Sequence, residues 1–183
     1  MRASTTGRDG ELYGSLAPGW PNGVGTQLLL RGWTAQEVEG LAPWFGPRRN
    51  AVPTLWPFCR TGADGSIAAL WSAPDGQTHV VHLGSGSGSM LTCVLGERPV
   101  DFLRLIAIGY DEICWNQDWN AAPASVDGRP TVNVPFRTWV ETTFSTTIPN
   151  RGTDVVAAPA ELGDDSDDPW CRWVDNATRD DGV

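Results

Sequence analysis

The sequence predicts an α+β fold, and three observations carry that prediction. Short β-prone runs separated by turns fill residues 52–95, a nearly all-apolar helix follows from Pro99, and two more helices with apolar spacing come after it. A chain of 183 residues is long enough for one domain with a real core, and a second full domain would be cramped.

Residues 1–25 are rich in Gly, Ser, Thr and Pro with little periodicity, so they are expected to be irregular or mobile, ahead of a domain over 26–178 and a frayed tail at 179–183. Thr34 followed by Glu37 fits a capping box, and Val38, Leu41, Trp44 and Phe45 give a short helix its apolar face before Gly46 and Pro47 stop it. Runs at 54–60, 67–72, 78–83 and 90–95 then read as an antiparallel meander. Turn residues at 62–65 (GADG) and 73–76 (APDG) join the first three. Pro53 and Pro57 push the first run toward a sheet edge, because proline donates nothing to the ladder.

The stretch PVDFLRLIAIGYDEICW at 99–115 combines that apolar helix with an acidic exit. Proline suits its first position and Asp101 its first turn, where free amides and the helix dipole favour a carboxylate. Phe102, Ile106, Gly109 and Ile113 recur on one face, widened by Leu103, Leu105 and Tyr110, so the helix is expected to be buried, with Gly109 admitting a close neighbour. Asp101, Arg104 and Asp111 form its narrow polar stripe. Residues 116–131 read as a long loop, a length that is often functional. Pro135 opens a helix carrying Phe136, Trp139, Val140 and Phe144, which is expected to pack on the sheet. Asp168 and Pro169 cap and open a last helix with Trp170, Trp173 and Val174 on one side.

The net charge of -9 argues against general nucleic-acid affinity and favours a basic partner, since phosphate binding needs a basic surface. Arginine supplies all 13 basic side chains. The first residues show no apolar run of a secretory signal, and no later segment approaches the roughly 20 apolar residues that span a bilayer. A soluble, cytoplasmic protein is expected, with Cys59, Cys93, Cys114 and Cys171 reduced and buried.

Most candidate chemistry fails on spacing. The GSGSGS run at 84–89 lacks the lysine and Ser/Thr of a P-loop and the pattern of a nucleophile elbow, and reads as a flexible inter-strand loop. His79 and His82, three apart in a strand, face opposite ways and cannot share a metal ion. Asp164, Asp165, Asp167 and Asp168 lack the glycine and terminal glutamate of a calcium loop, leaving a solvated acidic connector. No catalytic residue, metal or other cofactor is therefore expected. Most of the ten tryptophans are accounted for by packing. Trp115 and Trp119 differ, because they flank Asn116, Gln117 and Asp118 directly after Asp111 and Glu112, and aromatics ringed by polar groups compose interface hot spots. Asp111, Glu112, Trp115, Asp118 and Trp119 are the candidate partner-binding residues.

The order of elements and several phrases resemble the SUKH superfamily, which includes the Smi/Knr-type regulators and many bacterial immunity proteins. SIAALW (66–71) with HVVHLGSGS (79–87) is similar to that family's paired central strands and following loop, and PVDFLRLIAIGYDEI to its most recognisable helix. FRTWVETTF (136–144) and DPWCRWV (168–174) resemble the C-terminal part of many bacterial members, so the resemblance covers roughly 34–178. Arg98 stands where a better capping residue is usual, Cys171 where an aromatic is, and residues 1–25 have no counterpart.

The resemblance implies a single SUKH-like α+β domain, with a central, largely antiparallel sheet packed by helices, used as a non-catalytic protein-binding module. In bacteria that means an immunity protein occluding a cognate toxin of nuclease or deaminase type. The acidic composition independently suits steering onto a basic toxin. The alternative is a regulatory scaffold for a cellular complex, with no membrane contact in either case. An enzyme is the third class, and it needs a constellation of residues that the sequence does not display.

Overall fold

The computed structural model describes residues 12–13, 25–26, 28–30, 32–45, 54–116, 119–124 and 132–178. Strands β1 (Leu12–Tyr13), β2 (Leu29–Leu30), β3 (Leu55–Arg60), β4 (Ile67–Ser72) and β5 (Thr78–Leu83) form one sheet in that order, every neighbouring pair antiparallel. The three six-residue strands are its body, and the two-residue pairings extend one edge. Helices α1 (Ala35–Glu39), α2 (Pro99–Ile108), α3 (Val134–Phe144) and α4 (Pro169–Thr178), with 3-10 turns at Ala42–Phe45 and Gly152–Asp154, complete an α+β domain. The segment expected to be irregular therefore contributes β1, while the tail at 179–183 lies outside the described residues.

Strand alternation divides the core in two. Ala68 and Val80 point into a cluster with Phe102, Leu105 and Ile106 of α2, whereas Ala69, Trp71 and Val81 point into one with Phe45, Trp170 and Val174. The sheet is thus covered by α2 on one face and by α4 with the first 3-10 turn on the other. A register shift between Pro57 and Cys59 turns both Phe58 and Cys59 toward α2, where Phe58 meets Phe102 edge to face at 5.5 Å. Pro57 is tolerated because β2 reaches only Cys59 and Arg60, so the proline end of β3 is a sheet edge as expected.

Local signals in the sequence account for most helix starts. Thr34 Oγ1 accepts from the Glu37 amide at 3.2 Å and Glu37 returns a carboxylate to the Thr34 amide at 2.9 Å, closing the capping box of α1. The apolar face then continues on the 3-10 turn, whose Phe45 is buried. At α2, Asp101 accepts from the Arg98 amide at 3.1 Å and is gripped by the Arg98 and Arg104 guanidinium groups at 2.9 and 2.8 Å. Burial raises its pKa, but the hydrogen bonds from both arginines outweigh burial and hold the carboxyl below its ordinary range. A ten-residue helix is marginal alone, so α2 is held chiefly by packing, with Phe102, Leu105, Ile106 and Ile108 buried.

Asp168 does more than cap α4. Its Oδ1 accepts from the Trp170 and Cys171 amides at 3.0 and 2.9 Å, and its Oδ2 from the Val94 amide at 2.9 Å. Asp168→Ala is expected to cost about 2 kcal/mol, because three buried or capping amides lose their acceptor together, read as a lowered urea midpoint at constant m-value.

Four expectations are corrected. The run at 90–95 is not a regular strand: it follows β5 through His82 N to Cys93 O (2.9 Å) and Leu95 N to Val80 O (2.8 Å), but Asp168 takes the Val94 amide and only isolated bridges form. Helix α2 stops at Ile108, because Gly109 adopts a left-handed φ of 99° and caps it, so Gly109 and Ile113 do not continue the buried helical face. Helix α3 packs on α2 instead of on the sheet, since α2 already occupies that face, and the outer position leaves Trp139 and Phe144 partly exposed. The glycine-serine loop is organised and not free: Ser85 Oγ donates to Asp64 at 2.8 Å and accepts from the Gly88 amide at 2.9 Å.

Candidate functional site

The left-handed turn at Gly109 throws the chain off α2 into irregular backbone, with Tyr110 buried, Asp111 exposed and Glu112 between the two. The Tyr110 side chain turns inward, and its hydroxyl donates to the carbonyls of Ala121 (2.7 Å) and Trp119 (3.3 Å) while accepting from the Gly152 amide at 2.8 Å. One phenol thereby fastens three separate segments. Between two of them opens a cleft of about 360 Å³, lined by Tyr110, Asp111, Glu112, Trp115 and residues 121–124.

Three of the five sequence-derived residues meet at this cleft. Asp111 is exposed, and its carboxylate takes no hydrogen bond or ion pair among the described residues. Glu112 is half-buried, one oxygen accepting from the Ala63 amide at 3.0 Å and the other from the Cys114 thiol at 3.4 Å. Trp115 is 38% exposed and also lines a smaller depression of about 110 Å³ with Met90 and Glu161. Among the described residues no arginine lines either hollow.

Trp119 is corrected from a contact residue to a core residue. It is 0% exposed, and a Cβ at Gly152 would stand 2.7 Å from its Cγ, so the side-chain-free glycine is what lets the two segments close. Asp118 lies outside the described residues. Sequence reading missed Tyr110 and residues 121–124 as parts of the site. The phenol offered one signal, since a buried tyrosine normally finds a partner for its hydroxyl.

The histidines sit as their spacing requires, on opposite faces. His82 is fully buried, with Nε2 2.8 Å from Thr61 Oγ1 and Nδ1 2.8 Å from the Leu91 carbonyl, whereas His79 lies beside Trp71 with ring centroids 5.9 Å apart. Burial pushes the His82 pKa down to about 4, against smaller upward effects from Leu91 and Asp64. Cys59, Cys93, Cys114 and Cys171 are free and buried, and burial, the largest cause in each, pushes their pKa values up, so they remain thiols. Among the described residues no group of three or more His, Cys, Asp or Glu is placed to hold a metal ion, and no helix is long and apolar enough to cross a membrane.

Fold and cleft together define an α+β domain with an acid-lipped, aromatic-floored surface hollow. Comparison with protein-family models, with curated proteins and with solved structures finds no match.

Proposed function

We propose that the chain is a non-catalytic protein-binding module of the cytoplasm, an immunity protein of SUKH type that binds and occludes a cognate basic toxin. The observation that carries this reading is the cleft: Asp111 and Glu112 stand beside a partly exposed Trp115, with no arginine among the described lining residues. A partly exposed tryptophan beside carboxylates supplies both halves of an interface, since the indole gives buried area and the acids give steering and register. The net charge of -9 extends the same attraction over longer range. The sequence resemblance supplies the partner class, and occlusion requires no chemistry from this chain.

Co-expression with the products of genes adjacent to its own, read as growth rescue and as binding by calorimetry, tests the proposal. Rescue with one-to-one binding that weakens as salt rises is the expected outcome. Binding without toxicity would put the regulatory scaffold in its place, and a neighbourhood without toxicity or binding would overturn the toxin partner.

A further inference from the structure

We propose that the cleft at Tyr110 is an acceptor for an arginine side chain presented by a basic protein partner, with the guanidinium lying against Trp115 and pairing with Asp111. This rests on the protein-binding reading and specifies which group of the partner the cleft takes. Asp111 is exposed and carries a carboxylate without a protein partner among the described residues, although 13 arginines are distributed through the chain. Glu112 adds a second negative charge whose position is fixed by the Ala63 amide at 3.0 Å. The Tyr110 hydroxyl pins the opposite wall at Ala121, so the hollow exists before any partner arrives and little ordering is left for binding.

Arginine fits this arrangement better than lysine. A planar guanidinium stacks on an indole while presenting paired donors to a carboxylate, whereas an ammonium is a compact, strongly hydrated point charge. The volume of about 360 Å³ accommodates such a side chain together with water. A polypeptide carries it, in preference to a free cation, because Trp115 continues into the neighbouring depression beside Met90, which is 40% exposed. That shoulder, where Met90 and Trp115 stand beside Ser89, Asn116 and Glu161, is covered by the body of a protein and left bare by a small molecule.

The full chain, labelled with ¹⁵N at tryptophan, is titrated with the blocked peptide acetyl-Gly-Arg-Gly-amide, with its citrulline counterpart of the same shape and no charge, and with its lysine counterpart. Trp115→Phe assigns the Trp115 indole signal. A saturable shift of that signal with arginine, weaker with lysine and absent with citrulline, is the expected result. Asp111→Asn is expected to weaken arginine binding about fivefold, the scale of a solvent-accessible ion pair. An unmoved Trp115 signal, an equal response to citrulline or lysine, or unchanged affinity in Asp111→Asn would overturn the arginine site. Growth rescue separates this inference from the one beneath it: rescue with an unmoved Trp115 signal removes the arginine site and leaves the immunity role. An arginine-dependent shift without rescue by any neighbour leaves the site and removes the toxin.

Discussion

Trp119→Ala is expected to lower the free energy of unfolding by about 4 kcal/mol, the upper range for truncating a large aromatic in a core that cannot collapse around the gap. The indole is completely buried, and its neighbour Gly152 has no side chain with which to refill the space. Backbone ties hold the segment in place whatever the side chain, since the Trp119 carbonyl accepts from the Thr153 amide at 3.1 Å and from Tyr110 at 3.3 Å. The cavity would therefore persist. Trp119→Phe is the informative companion. The indole Nε1 has no hydrogen-bond partner among the described residues, so a phenyl ring forfeits volume but no hydrogen bond, and a cost of about 1–2 kcal/mol is expected. Urea unfolding followed by circular dichroism measures both. Near-equal and small losses for the two variants would mean that the side chain does not fill the core.

The second large effect is acid sensitivity set by His82. The neutral imidazole is fully satisfied where it lies, with Nδ1–H donating to the Leu91 carbonyl and Nε2 accepting from the Thr61 hydroxyl, and burial is what penalises the charged form. Burial lowers its pKa in the folded protein to about 4, from an unfolded value near 6.5. A depressed folded-state pKa means that the unfolded chain takes up the proton first. Stability is therefore complete above about pH 6.5 and falls as the pH drops toward 4, by about 3 kcal/mol over the window. Asp64, the carboxylate that interacts with His82, moderates the loss without cancelling it. Urea midpoints for the wild type and for His82→Gln between pH 7.5 and 4.5 isolate the effect. The variant is expected to be less stable throughout, with the difference between the two proteins shrinking as the pH falls. A constant difference would show that His82 does not titrate in that window.

What the sequence made legible was local. The Thr34 and Glu37 capping box, the Pro99 and Asp101 helix start, the Asp168 cap and the turns at 62–65 and 73–76 each depend on residues within a few positions of one another. What it concealed was set from a distance. Apolar spacing continues past Ile108, but Gly109 takes the left-handed turn and the Tyr110 hydroxyl is engaged by a glycine 42 positions away. Trp119 sits among polar neighbours in sequence, and only the approach of Gly152 makes it a core residue. Helix α3 has the periodicity of a sheet-packing helix and nothing local to say that α2 would already hold that place. For the site, the acid and aromatic cluster at 111–115 was visible, whereas the wall at 121–124 was not, because alanine and proline carry no chemical mark.

The link between α4 and the sheet bears on how the chain comes together in time. The Trp170 indole donates to the His82 carbonyl at 2.9 Å across 88 positions, and its ring joins Trp71 at 5.0 Å and Phe45 at 6.4 Å. During synthesis the β3–β5 meander emerges with only the first 3-10 turn available for that face, and Trp71 lacks its Trp170 partner until residues 169–178 have left the ribosome. Closing so distant a contact is slow in entropic terms and cannot begin early. Nascent chains arrested before Pro169 would then expose a sticky, half-built face to water, which makes the docking of α4 the step that closes this side of the core.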